Sequence, residues 1–64
     1  MDKKEALEIV QKNGHNLERL ENEFKKDKEI VLIAVKHKGG ALYHADKKLK
    51  ADKEVVLAAV KQDG

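Results

Sequence analysis

Three histidines, His15, His37 and His44, are the side chains of this 64-residue chain best suited to ligate a metal or to pass a proton near neutral pH. Their spacing gives that chemistry little support. No two of them stand as His-x-x-x-His on one helix face, and no Glu-x-x-His pair supplies a mixed carboxylate and imidazole set. His15 and His37 fall near the ends of equivalent helices, whereas His44 aligns with Arg19 at a position expected to be exposed. No metal and no other cofactor is therefore expected. Nucleophilic catalysis has less to work with, because the chain contains no serine, threonine or cysteine to place beside a histidine. Glu18 and Glu21 are paired carboxylates on a short solvated helix, where such a pair is ordinarily surface. The glycines of "KHKGGAL" read as a helix stop and a turn rather than a phosphate cradle. The expected class is non-enzymatic.

Charge points to a different kind of chemistry. Fourteen Lys and Arg against twelve Asp and Glu give a net charge of only +2, too small to imply a polyanion partner for the whole chain. Residues 1–24 hold four basic and six acidic groups, residues 25–50 eight and three, and residues 51–64 two and three. The basic excess thus lies in the middle, where the second helix of the basic unit reads "ALYHADKKLK". On a helical wheel Tyr43, Lys47 and Lys50 fall at i, i+4 and i+7, roughly opposite Leu42, Ala45 and Leu49. An aromatic ring and two cations then share one stripe, flanked by His44 and Lys48. Tyr43, His44, Lys47, Lys48 and Lys50 are accordingly the candidate interaction surface. The expected partner is another protein. The alternative is weak, sequence-independent nucleic-acid binding, since the stripe has cations for phosphates but no Arg, Asn or Gln for bidentate base reading.

What must position that surface is a repeated helical unit. "DKEIVLIAVK" from Asp27 returns as "DKEVVLAAVK" from Asp52, a shift of 25 residues, and the same shift backwards places Asp2, Lys3, Leu7, Val10, Gly14 and Leu17 on an earlier copy without a gap. The chain reads as about two and a half units, residues 2–26, 27–51 and 52–64, in a single domain spanning 1–64. Asp2, Asp27 and Asp52 sit where an N-cap belongs, and Glu29 and Glu54 add negative charge to a first turn, where the helix dipole favours it. Gly14, Gly39 and Gly64 sit where a left-handed C′ residue would close the helix. A second helix follows each stop, with Leu17, Leu20 and Phe24, or Leu42, Ala45 and Leu49, at helical spacing. The expected fold class is all-α, with five short helices near residues 3–13, 16–25, 28–38, 41–50 and 53–62 forming stacked helical hairpins, a small bundle or solenoid fragment.

Differences between copies assign the ends. Glu5 and Glu8 occupy the positions of Ile30 and Ile33, so the first helix has a wetter face and reads as an end cap, while "IVLIAV" reads as the central helix. Leu7, Val10, Leu32, Val35, Leu57 and Val60 form the expected core ladder, with Ala34 and Ala59 permitting close approach. The last helix keeps interior-like Val55 and Val56 without the companion helix that comes next in the other units. It is expected to be buried in a closed domain or to offer an edge for another repeat or a second copy.

The stretch "DKEIVLIAVKHKGGALYHADKKLKADKEVVLAAVKQDG" resembles the tandem helical repeats of DUF4116, a domain of unknown function found in bacterial and some protist proteins. The resemblance is close over residues 27–64 and weaker over residues 2–26, where Lys4, Glu5 and Glu8 depart from the pattern. It implies the helical-repeat fold and carries no activity, cofactor or catalytic residue.

The remaining composition sets limits. A chain this short buries about 60% of the surface its unfolded form exposes, and without cysteine it has no disulfide or thiolate zinc site to support it. The N-terminal "MDKKEALEIV" lacks a signal-like apolar stretch, and no apolar run approaches the roughly 18 residues of a membrane helix. No membrane association and, by default, a cytoplasmic location are expected.

Overall fold

A computed structural model of the chain describes residues 1–63, so the expected helix stop at Gly64 lies outside the described residues. The fold is all-helical, with seven helical elements among the described residues where five were expected. In order these are α1 (Lys3–Lys12), a first 3₁₀ helix (Gly14–Arg19), α2 (Asn22–Lys25), α3 (Lys28–His37), a second 3₁₀ helix (Gly39–His44), α4 (Lys47–Lys50) and α5 (Lys53–Asp63).

The three long helices begin as their aspartates dictate. The Asp2 carboxylate accepts from the Glu5 N–H at 2.9 Å, Asp27 from those of Glu29 and Ile30 at 3.0 and 3.4 Å, and Asp52 from those of Glu54 and Val55 at 2.9 and 3.4 Å. Each bond satisfies a first-turn donor that has no partner inside the helix.

The helix stops differ from expectation. No residue among those described, glycine included, adopts a positive φ. α1 instead ends where Asn13 turns extended (φ −160°, ψ 119°), and α3 ends at Lys38 in the same way (φ −140°, ψ 107°). Gly14 is there for space: a Cβ built on it would collide with the carbonyl oxygen of Ala34. The missing side chain lets the start of the first 3₁₀ helix lie against α3.

Each expected second helix is in fact two pieces. Leu20 and Glu21, and again Ala45 and Asp46, are extended between a 3₁₀ helix and a single α-turn. At the second break Asp46 does two jobs. Its N–H donates to the Lys25 carbonyl at 3.1 Å, and its carboxylate caps α4 by accepting from the Lys48 N–H at 3.1 Å. Leu20 and Ala45 are buried at these bends and Phe24 and Leu49 just beyond them. Packing of these side chains, rather than helix propensity, sets the path here.

α3 is the middle of the molecule. It packs between α1 and α5, and both 3₁₀ helices lie against it and against each other. Ile30, Val31, Ala34 and Val35 are fully buried, whereas Glu5 and Glu8 on α1 are exposed. The expected ladder holds only in part. Val10 and Val35 are fully buried and Leu7 and Leu32 half-buried, but Leu57 and Val60 on α5 are 56% and 57% exposed. Among the described residues no element covers the far side of α5 as α5 and the second 3₁₀ helix cover α3. Among the described residues no helix is long and apolar enough to cross a membrane.

Candidate functional site

The five residues of the predicted surface do not share one helix face. Tyr43 and His44 close the second 3₁₀ helix, while Lys47, Lys48 and Lys50 belong to α4 beyond the extended Ala45 and Asp46. The i, i+4, i+7 wheel assumed an unbroken α-helix, and the bend removes that geometry. Tyr43 is 82% exposed and all three lysines are exposed. His44, expected to be exposed, is half-buried: its ring stands edge-on to that of His15, with centroids 5.8 Å apart and planes at 76°. Gly40 makes room for this contact, since a Cβ there would sit 3.1 Å from the His15 ring. The histidines brought together are thus His15 and His44. Among the described residues no group of three or more His, Asp or Glu is placed to hold a metal ion.

Two of the predicted residues do meet elsewhere. Tyr43 and Lys50 line a groove of about 570 Å³ whose remaining walls are Gly39, Gly40 and Leu42 from the second 3₁₀ helix and Ala59 and Val60 from α5. Its lining is mostly apolar, with Tyr43 and Lys50 as the members that carry polar groups. A second groove of about 410 Å³ runs along the α3 and α5 surface, past Leu32, Lys36, Leu57 and Lys61. α5 therefore contributes to two grooves. Sequence reasoning left the interior-like Val55 and Val56 either buried in a closed domain or offered at an edge. Val55 is fully buried and Val56 half-buried, and the exposed apolar residues are Leu57 and Val60.

Among the described residues four ion pairs knit the long helices together at their N-terminal ends. The Lys3 ammonium lies 3.1 Å from Asp27 and 2.8 Å from Glu29, and the Lys28 ammonium lies 3.1 Å from Asp52 and 2.9 Å from Glu54. Hydrogen bonds to Glu29 and Asp27 raise the Lys3 pKa, and those to Glu54 and Asp52 raise that of Lys28. Lys28 in turn holds the Asp52 carboxyl below its ordinary value, helped by the N–H groups of Val55 and Glu54 that Asp52 caps. Sequence reading gave the aspartates a capping role alone. The signal for the second role was the lysine next to each of them.

No curated protein and no solved structure matches the chain. The family model described as a domain of unknown function, DUF4116, matches it twice, over residues 2–50 and 27–64. Together the two matches run from Asp2 to the last residue, and the chain belongs to the DUF4116 family.

Proposed function

We propose that the chain is a non-enzymatic helical-repeat module, about two and a half stacked units of 25 residues, whose role is to bind or brace another protein. The repeat reading draws support from the two family matches, whose starts differ by one unit, and from the ion pairs, since Lys3 to Asp27 and Glu29 becomes Lys28 to Asp52 and Glu54 on the same shift. The observation that carries the role is the exposed apolar side of α5, where Val60 lines a groove with Tyr43 and Lys50 and Leu57 lines a second with Leu32. Exposed apolar residues set in a polar rim are the ordinary anatomy of a protein-binding patch. A pull-down from the cell that makes the protein tests this, comparing the native chain with a Leu57→Asp, Val60→Asp variant. Both side chains are more than half exposed, so the variant is expected to keep its fold. Partners retained by both chains alike would contradict the proposal, and loss with the variant is expected. Light scattering over a concentration series reports whether a second copy occupies the edge.

Weak, sequence-independent nucleic-acid binding is the second reading, favoured by Lys47, Lys48 and Lys50 standing exposed together on α4. Three phosphate contacts would give a plot of log affinity against log salt a slope of roughly −2.7. Fluorescence anisotropy with duplex DNA and RNA checks this, and association that ignores salt, or none at all, would remove it.

A further inference from the structure

Asn13 and Gly14 are the one asparagine-glycine step of the chain, and a glycine nitrogen, with no side chain beside it, is the least hindered backbone nucleophile toward a neighbouring amide carbon. In the second unit the same step is Lys38 and Gly39, which offers no side-chain carbonyl to attack. Asn13 joins α1 to the first 3₁₀ helix. Its side-chain oxygen accepts from the His15 N–H at 3.0 Å and its backbone carbonyl from the Asn16 N–H at 2.9 Å, so side chain and main chain are both held. Asn13 is exposed, while Gly14 is buried on a seat where a Cβ would collide with the Ala34 carbonyl. Water reaches the amide, and the residue that supplies the attacking nitrogen is kept inside the fold.

We propose that Asn13 and Gly14 form a self-modification site, at which the first unit converts irreversibly to an isoaspartyl or an aspartyl form when this joint opens. The Gly14 nitrogen bonds to the Asn13 side-chain carbonyl carbon, the carbon–nitrogen bond of the side-chain amide breaks, and ammonia leaves carrying the Gly14 proton. Water then opens the five-membered imide at one of its two carbonyls, giving its hydroxyl to that carbon and a proton back to the Gly14 nitrogen. Opening at the side-chain carbonyl leaves aspartate. Opening at the backbone carbonyl leaves isoaspartate, in which the main chain runs through the former side-chain carbons.

The native backbone holds this chemistry off. Ring closure needs the Gly14 nitrogen to eclipse Cβ about the Asn13 Cα–C bond, and the observed ψ of 119° is roughly a third of a turn from that position. Turning the bond so far lifts Gly14 off its seat on Ala34 and breaks the hydrogen bonds to His15 and Asn16, so the reaction passes through a local opening. The two products then differ in whether the joint can close again. Aspartate keeps the cap on the 3₁₀ helix and adds negative charge at its start. Isoaspartate inserts one more backbone carbon between α1 and Gly14, where the fold has no space for even a methyl group. The isoaspartyl form cannot reseat Gly14 against α3, and α1 is the element it loosens.

At 64 residues the chain is within reach of chemical synthesis, so the isoaspartyl form and the Asn13→Asp variant can each be made directly. The isoaspartyl chain is expected to unfold at lower urea than the native chain, with amide hydrogen exchange in α1 accelerated several-fold, and Asn13→Asp is expected to match the native chain. An isoaspartyl chain that does not fold while Asn13→Asp does is the same result at its extreme. Conversion of the native chain in warm neutral buffer is followed by mass spectrometry of the tryptic peptide Asn13–Arg19, with Asn16 as the internal control. It is expected to run several-fold slower than in a peptide of residues 8–19, to approach the peptide's rate once urea unfolds the chain, and to be faster in Val35→Ala than in the native chain. Equal rates in the folded chain and the peptide, no gain in urea, an isoaspartyl chain as stable as the native one, or equal loss of stability in Asn13→Asp would each overturn the proposal.

Discussion

Gly14 and Gly40 are both glycines for room, and the neighbours they make room for differ. A methyl group on Gly14 would drive into a backbone carbonyl, which cannot move without shifting α3, whereas one on Gly40 would meet only the His15 ring. Gly14→Ala is therefore expected to cost about 1–3 kcal/mol through overpacking, and Gly40→Ala less than about 1 kcal/mol, measured by urea unfolding. Equal costs would contradict the steric account. The ion pairs allow a test by pH. Asp52 has a lowered pKa, so its contribution is present above the unfolded value and is lost as pH falls through the folded one; Lys3 and Lys28 have raised values, so theirs is present below the unfolded value and lost as pH rises through the folded one. Stability should be level from about pH 5 to 9 and decline at both extremes, with Lys28→Met flattening part of each decline. Sequence alone did not show these roles, because the partners lie a full unit away along the chain and a lone Asp-Lys step reads first as a cap.

At the scale of elements, the long helices were legible and the short ones were not. Asp2, Asp27 and Asp52 act within three residues of themselves, so a local pattern identifies them. The breaks at Leu20 and Ala45 depend on what those side chains reach across the fold, and helix propensity runs smoothly through both. Asp46 carried the available signal, an N-cap residue in the middle of an expected helix. Asp46→Ala is expected to lower stability by about 1 kcal/mol. Glu21 holds the equivalent position but makes no side-chain cap bond, and Glu21→Ala should leave stability nearly unchanged. Thermal denaturation of the two variants side by side checks the difference, and an equal loss would mean that Asp46 does not act as a cap.

At the scale of the molecule, a chain of this length has a total stability of only about 3–10 kcal/mol, so one core position is a large share of it. Val35 and Val60 occupy matching places in α3 and α5, one fully buried and the other 57% exposed. Val35→Ala is expected to cost about 2 kcal/mol, while Val60→Ala should stay within about 0.5 kcal/mol. The repeat pattern foretold equal burial for both because it records residue type and not what stands next to it. Val35 has α5 and the second 3₁₀ helix beside it, and Val60 has the groove. In the proposed function that difference in burial is what offers Val60 to a partner. The most direct measurement is photo-crosslinking in the cell that makes the protein, with the reactive residue placed at position 60, at position 43, and at position 8 as the control. Discrete protein adducts from positions 60 and 43, and none from position 8, are predicted. Adducts from position 8 alone, or equally from all three, would contradict the account.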